Sequence, residues 1–334
     1  MLSRIQWPGM KSEFELIERL ARRAGKTRHD VIVGIGDDAA VLRFSARDDV
    51  VVTTDSLVEG THFERGWLTP REIGWRLAAA NLSDMAAMGA EPKYALISLV
   101  LPRAVSGKQA EAIQRGTVQH LGKFDTSVVG GNIASTDGPL TVDMTLIGTC
   151  ARGAAWKRRA RKGDAIVIAG TIGSAAAGVV ALKKGKLGGA AVIRAYKHPV
   201  PRIDVARALR SHAAVHGAID ISDGLSSDLI HICEASGVGC EIDAAALPIP
   251  RAVREFCATQ RLDPIRFALH AGEDYALLLS VAPQRAREVC GILTDAGVPA
   301  TVIGIFTDSA GVYGIFDKGR VHSFRAEGWD HFTR

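Results

Sequence analysis

Acidic residues flanked by glycine, serine and threonine recur in this chain at Gly34-Ile-Gly-Asp37-Asp38-Ala, Thr53-Thr54-Asp55-Ser, Asn81-Leu-Ser-Asp84 and, far downstream, Asp220-Ile-Ser222-Asp223-Gly. This pattern constrains the fold, because an ionised carboxylate in an apolar interior is expensive unless a partner compensates it. Strand and helix ends are where such groups can gather. Their oxygens are hard donors without bulk, a set that suits Mg2+ and the phosphate oxygens it bridges, so the chemistry pointed to is phosphoryl transfer. A chain of 334 residues exceeds the usual ceiling for one hydrophobic core, and two domains are expected.

Composition narrows the classes. With 47% hydrophobic and 23% charged residues the chain is ordinary globular protein. The 41 Lys and Arg against 36 Asp and Glu leave only a mild positive excess, spread along the chain apart from one cluster, Lys157-Arg-Arg-Ala-Arg-Lys162. That cluster is either a solvated loop or a phosphate-facing one, and nucleic acid is not an expected partner. The five cysteines are scattered with no Cys-x-x-Cys pair, which argues against zinc and against a disulfide framework and fits a reducing cytoplasm. The segment Met1-Leu-Ser-Arg-Ile-Gln-Trp-Pro has no signal-peptide pattern. Residues 165–182 are apolar enough to raise the question of a membrane helix, but their Gly, Ala, Ser and Thr content reads better as a strand, a Gly170–Gly173 turn and a helix.

Periodicity predicts an α/β (α+β) fold. Helices are expected over 14–24, 70–88, 107–122, 203–211, 226–236 and 283–296, the second opened by Thr69-Pro70. Strands are expected over 31–33, 50–54, 93–102, 127–131, 140–150, 165–169, 241–243, 275–281 and 300–306. In this reading Asp55 ends the second strand and Gly130-Gly131 ends the fourth. The polar, turn-prone stretch around the basic cluster places the domain boundary, giving residues 1–152 as a mostly β N-terminal domain and 153–334 as a C-terminal α/β domain.

Each motif has a plain alternative. Asp37-Asp38 could be a solvated turn, and Asp55 could cap a turn, although two hydroxyls beside it form a recurrent Mg2+ arrangement. Asp84, near a helix C-terminus, is poorly placed for the helix dipole and calls for something positive. Gly130-Gly131-Asn132 is either a turn or a place where backbone N–H groups approach a phosphate. In the Asp220 segment, Ser226 or Ser227 is the expected helix N-cap, and capping does not need Asp220 and Asp223 as well. His270-Ala-Gly-Glu273-Asp274-Tyr275 is a charged loop at a strand start, either solvated or a ligand site, and His62 is equally a core or surface histidine. Gly25-Lys26-Thr27 is not a P-loop, since Leu20 stands where the upstream glycine is required.

Taken in order, Gly-Ile-Gly-Asp-Asp-Ala, Thr-Thr-Asp-Ser-Leu-Val-Glu-Gly-Thr-His-Phe, Asn-Leu-Ser-Asp-Met-Ala-Ala-Met-Gly-Ala, Gly-Gly-Asn, Asp-Ile-Ser-Asp-Gly-Leu and Gly-Glu-Asp-Tyr resemble the thiamine-monophosphate kinase family of the aminoimidazole-ribonucleotide-synthetase superfamily, over nearly the whole chain. The resemblance implies ATP-dependent phosphorylation of thiamine monophosphate to thiamine diphosphate with several Mg2+ ions and no phosphoenzyme. It implies Asp38, Thr53, Thr54, Asp55, Asp84, Asn132, Asp220 and Asp223 as metal ligands, with Asp38, Asp55, Asp84 and Asp220 central to catalysis. Gly130, Gly131, Asn132, Lys157, Arg158 and Ser222 fall on the ATP side, and His62, Glu273 and Trp329 on the thiamine side. It further implies a homodimer whose N-terminal strands share a barrel, and an active site in the cleft between the domains.

Three departures stand out. Asn132 replaces the usual Asp, which removes a charge although an amide oxygen remains. The run 157–162 replaces Arg-Ser-Gly-Ala, and Ser174 stands where the family commonly has Asp. Selenophosphate synthetase is a poor alternative because no Cys precedes Cys150, and a hydrogenase-maturation dehydratase would end in a reactive cysteine, where this chain ends Trp329-Asp-His-Phe-Thr-Arg334. Aminoimidazole ribonucleotide synthetase is the runner-up, and a catalytically silent nucleotide-binding homologue is the reading from another class.

Overall fold

The computed structural model describes residues 19–20, 22–25, 28–33, 41–185 and 189–328. The helix expected over 14–24 falls largely outside them. The described chain divides into two compact units, one made of residues up to Met85 with Pro92–Arg152, the other of Ala86–Glu91 with everything from Gly153.

In the first unit a short antiparallel pair, β1 (Val31–Val33) and β2 (Val41–Leu42), precedes β3 (Asp48–Val58). Helix α1 (Pro70–Ala87), β4 (Glu91–Pro102), α2 (Gly107–Leu121), β5 (Ser127–Thr136) and β6 (Thr141–Ala151) follow, and the four long strands form one sheet in the order β3-β6-β4-β5. Two expectations are corrected here. Asp55 lies inside β3 rather than at its end, because pairing with β6 continues past Asp55↔Met144 to Val58↔Thr141. Gly130-Gly131 does not end a strand either: β5 runs on in parallel register with β4 through Ser98↔Asn132 to Pro102↔Thr136.

Both helices are started by local chemistry. The Thr69 N–H donates to Glu72 Oε2 (2.7 Å) and the Glu72 N–H to Thr69 Oγ1 (3.3 Å), a capping box with Pro70 in the first turn. Ser106 and Gln109 make the same device for α2. The helices cross at two glycines: a Cβ on Gly74 would lie 1.8 Å from the Ile113 carbonyl oxygen, and one on Gly116 1.9 Å from that of Arg71. Either substitution would push the helices apart. Along β3, Thr53, Asp55 and Leu57 turn inward, while Val50, Val52, Thr54 and Ser56 are exposed.

The second unit is built on a seven-stranded mixed sheet, β13-β12-β9-β11-β7-β10-β8. In chain order it contains β7 (Ala165–Ala169), α3 (Ser174–Lys183), α4 (Ala190–Lys197), α5 (Ile203–Leu209), β8 (Val215–Asp220), α6 (Leu225–Ser236) and β9 (Gly239–Asp243). Then come α7 (Arg251–Gln260), α8 (Pro264–His270), β10 (Leu277–Val281), α9 (Ala286–Asp295), β11 (Ala300–Thr307), β12 (Tyr313–Asp317) and β13 (Arg320–Ser323). Central β7 is buried along its whole length, as a strand covered on both faces must be. Its Ile166 and Ile168 pack in one core with Leu229 and Cys233 of α6 and Val253 and Phe256 of α7. No described helix is long and apolar enough to cross a membrane.

Candidate active site

The sequence-predicted residues gather into two acidic groups, one in each unit. In the first unit β3 carries Thr53 and Asp55 on its inward face. The Thr53 hydroxyl donates to Asp84 Oδ2 on α1, which brings the Asp84 carboxyl to the inward face of β3, where it acts on Asp55. Burial, then repulsion from Asp84 and Asp143, raises Asp55 well above the usual carboxylate range. A proton or a cation would relieve the repulsion between these acids. Asp143, which the sequence reading missed, is held by the Ser56 hydroxyl (2.6 Å).

Other predicted residues of this unit stand apart from that pair. The Thr54 side chain is on the opposite sheet face, where its Oγ1 accepts from Thr145 Oγ1 (3.4 Å). Asn132 is exposed within β5, and a Cβ on Gly131 would lie 2.0 Å from the Ile97 carbonyl oxygen, so this glycine is required by strand packing. His62 follows β3 in a turn where its Nδ1 accepts the Val58 N–H (3.0 Å). Asp137, the acid that follows Asn132 in sequence, pairs with Arg103 (2.9 Å) on the surface. Asp38 lies outside the described residues.

In the second unit the acids sit on the loop from β8 to α6. Asp220 ends β8 and is 5% exposed. The loop's organiser is Asp228, in the first turn of α6, whose Oδ2 accepts the N–H groups of Ser222 (3.1 Å), Asp223 (3.2 Å) and Gly224 (3.1 Å). The N-cap is thus Gly224, with φ 120°, and neither Ser226 nor Ser227, because Asp228 reaches back and already satisfies the loop N–H groups. Burial, followed by repulsion from Asp220 and Asp223, pushes Asp228 up to about 8 in spite of those donors. The sequence shows Asp228 only as a third acid of this segment; the signal for its role is an acid in the first turn of the helix.

Segment 271–276 runs beside this loop. The Glu273 N–H donates to the Ser222 carbonyl (2.8 Å) and the Tyr275 N–H to that of Ile221 (3.0 Å), which sets Glu273 beside Ser222 and Asp223. The described chain ends nearby: the Gly328 N–H donates to Ser227 Oγ (3.1 Å), and Glu327 Oε2 lies 3.6 Å from His270 Nε2 and 3.5 Å from Arg266. A cavity of about 690 Å³ opens there, with Phe324, Arg325 and Glu327 on one side and Arg266 and His270 on another. Trp329, one residue further, lies outside the described residues.

The basic cluster sorts itself by partner. Arg161 Nη1 meets His216 Nε2 (3.1 Å), and Lys162 pairs with Asp308 (2.5 Å). Lys157, Arg158 and Arg159 are exposed, their backbone fixed because the Ala218 N–H donates to the Lys157 carbonyl (3.0 Å). Among the described residues no three His, Cys, Asp or Glu side chains converge as a metal cage. Thr53, Asp55 and Asp84, and separately Asp220 and Asp223, offer only hard oxygens, and the raised Asp55 marks negative charge that a divalent cation would relieve, so the donors fit Mg2+.

The sequence matches the AIR synthase related protein family, its N-terminal domain over residues 36–150 and its C-terminal domain over residues 161–317. A thiamine-monophosphate kinase of Escherichia coli (strain K12) is 37% identical over 328 residues, 96% of this chain and 98% of that protein. The crystal structure of thiamine-monophosphate kinase from Stenotrophomonas maltophilia K279a is 35% identical, with a TM-score of 0.81 over 93% of this chain and 98% of that one. AaThiL complexed with AMPPCP and TMP is 31% identical, with a TM-score of 0.75 over 96% and 97%.

Proposed function

The chain belongs to the thiamine-monophosphate kinases of the AIR-synthase-related family and phosphorylates thiamine monophosphate to thiamine diphosphate with ATP as co-substrate, and we propose that the γ-phosphoryl group moves in one direct, in-line step. The relative complexed with AMPPCP, an ATP analogue, and TMP supports both substrates. The observation that carries the reading of the site is the Asp55–Asp84 pair with its Thr53 hydroxyl: inward-facing, negative and built of hard oxygens.

An oxygen of the acceptor phosphate forms the new P–O bond as the bond from the γ-phosphorus to the β,γ-bridging oxygen breaks and ADP leaves. The acceptor is already an anion, so no general base is required. The difficulty is bringing two polyanions together. Asp38, Thr53, Thr54, Asp55, Asp84, Asp220 and Asp223 hold Mg2+ in this reading, with Asn132 contributing an amide oxygen and Thr54 only its carbonyl, given its side chain's orientation. An Mg2+ ion held by these residues would neutralise charge on the phosphates during transfer. Lys157 and Arg158, exposed and free of the partners that occupy Arg161 and Lys162, contact the nucleotide phosphates together with Ser222 and the 130–132 segment. His62, Glu273 and Trp329 hold thiamine.

We assign the dimer face to the exposed side of the four-stranded sheet, where Val50 is 47% and Val52 60% exposed on edge strand β3. The protein works in the cytoplasm in this reading, in keeping with scattered free thiols. Rapid quench with [γ-32P]ATP tests the direct step: label passes to thiamine diphosphate with none on protein, and an acid-stable phosphoprotein formed at a competent rate would overturn it. Val52→Lys tests the interface, with a shift from dimer to monomer in light scattering expected and an unchanged mass refuting it.

A further inference from the structure

Asp274 has no place among the roles given so far, although it adjoins Glu273. The residue keeps some exposed surface, yet its carboxyl group turns inward to the start of α3, accepting the N–H groups of Gly173 (2.5 Å) and Ala175 (3.0 Å). Those are the orphan donors of a helix N-terminus, satisfied here by a carboxylate about a hundred residues away in sequence rather than by a local cap. Gly173 itself gives no side-chain cap.

The backbone on both sides of Asp274 is left-handed: Glu273 has φ 65° and Tyr275 φ 52°. Neither is glycine, and residues of this kind persist in that region only where their surroundings over-determine them. Two backbone bonds bracket the position, from Glu273 N–H to the Ser222 carbonyl and from Tyr275 N–H to the Ile221 carbonyl. Those bonds fix the chain against the Asp220–Asp223 loop, and the Asp274 side chain fixes it against α3. With both in place the turn cannot relax to ordinary φ without breaking one set.

We infer that Asp274 is a positioning residue for substrate recognition: anchored on the N-terminus of α3, it holds the left-handed turn that aims Glu273 beside Ser222 and Asp223. A helix cap serving only stability would not need a left-handed residue on each side of it. The inference rests on the reading that Glu273 contacts thiamine monophosphate.

Steady-state kinetics of the full-length protein, with each substrate varied against saturating partner, tests it. Asp274→Asn keeps the shape and loses the charge-assisted acceptor; KM for thiamine monophosphate is expected to rise about tenfold, with KM for ATP within about twofold of the parent. Glu273→Gln is expected to raise the same KM, and the double variant to be no worse than the larger single change, because both act through one carboxylate. Equal increases for both substrates, a double effect equal to the product of the singles, or a lower Tm with both KM values unchanged would each overturn the inference and leave Asp274 a cap. Should Asp274→Asn not fold, Ala175→Pro deletes one donor within the first turn of α3, where proline is tolerated, and is expected to raise KM for thiamine monophosphate about threefold; no change there overturns the inference. If Glu273→Gln leaves KM for thiamine monophosphate unaltered, the substrate reading itself fails and takes the inference with it, whereas a shift in Glu273→Gln with none in Asp274→Asn refutes the inference alone.

Discussion

The two acidic groups handle buried negative charge in opposite ways. In the first unit Asp55 and Asp84 come from a strand and a helix and face each other, with one hydroxyl between the elements, so charge meets charge. In the second, Asp228 gathers three backbone N–H groups and uses them to shape the loop that carries Asp220 and Asp223. The difference separates a group whose acids lose little stability when neutralised from one whose acid is a structural member of the loop. Substitutions should therefore dissociate activity from stability in the first group and couple them in the second.

Asp55→Asn gives the largest expected effect. Turnover should fall by about a thousandfold or more, since a charge used to hold the cation is gone from a site where such contributions are large. The metal-free variant should nevertheless melt a few degrees higher than the parent at pH 8, because repulsion with Asp84 is relieved. Calorimetry in chelator together with saturating-ATP kinetics checks both. Near-normal activity at modest Mg2+ would make Asp55 a structural acid and erase the contrast between the groups.

Asp228→Ala should behave in the reverse manner. Three loop N–H groups lose their acceptor, and the protein is expected to lose about 3 kcal/mol or more in denaturant unfolding, with activity falling alongside. A variant of parental stability with lost activity would show that Asp228 acts on the reaction and does not organise the loop.

The pH dependence of stability distinguishes the groups more finely. Asp55 is raised, Asp228 stands at about 8 and Asp274, lifted by burial against the pull of its N–H donors, at about 7. An acid whose folded pKa lies above its unfolded value binds its proton more tightly when folded. Its contribution is fully present below the unfolded carboxylate range near pH 4 and is lost as pH rises through the folded value. The metal-free protein should thus lose Tm steadily from about pH 4 to pH 8. Added Mg2+ should recover the part owed to Asp55 and leave the part owed to Asp274. A Tm that rises across this range would contradict the assignment of all three.

Much of the architecture could be read from the chain because it is local. The Thr69-Pro70 start of α1, the alternation in β4 and β6 and the Gly170–Gly173 turn into α3 are set by neighbours within a few residues. Asp263-Pro264 was an equally clear helix start, with Asp263 Oδ1 accepting from Ile265 and Arg266, and it went unread because α8 has only seven residues. What resisted reading depends on distant partners. Gly130-Gly131 looks like a turn until β4 is laid beside it, and Asp55 looks terminal until β6 extends the ladder. The pairing of Asp55 with Asp84, the reach of Asp228 back over its loop and the docking of Asp274 on α3 are tertiary facts that no spacing encodes.

The smallest expected effect concerns Asn132. It occupies β5, away from the Asp55–Asp84 pair in strand order, and its amide oxygen can accept a cation while contributing no charge. Asp137, the nearest acid downstream in sequence, is held in an exposed pair with Arg103, so it is not a ready replacement. A carboxylate restored at 132 would add charge on an exposed strand position without disturbing packing, which predicts parental stability. Asn132→Asp should shift the Mg2+ activation curve a fewfold toward lower concentration at unchanged maximal rate, as expected when one more anionic oxygen joins a hard-cation site. An unchanged curve would show that metal affinity is set by the inward-facing pair and the Asp220 loop, and that position 132 touches the nucleotide through its backbone alone.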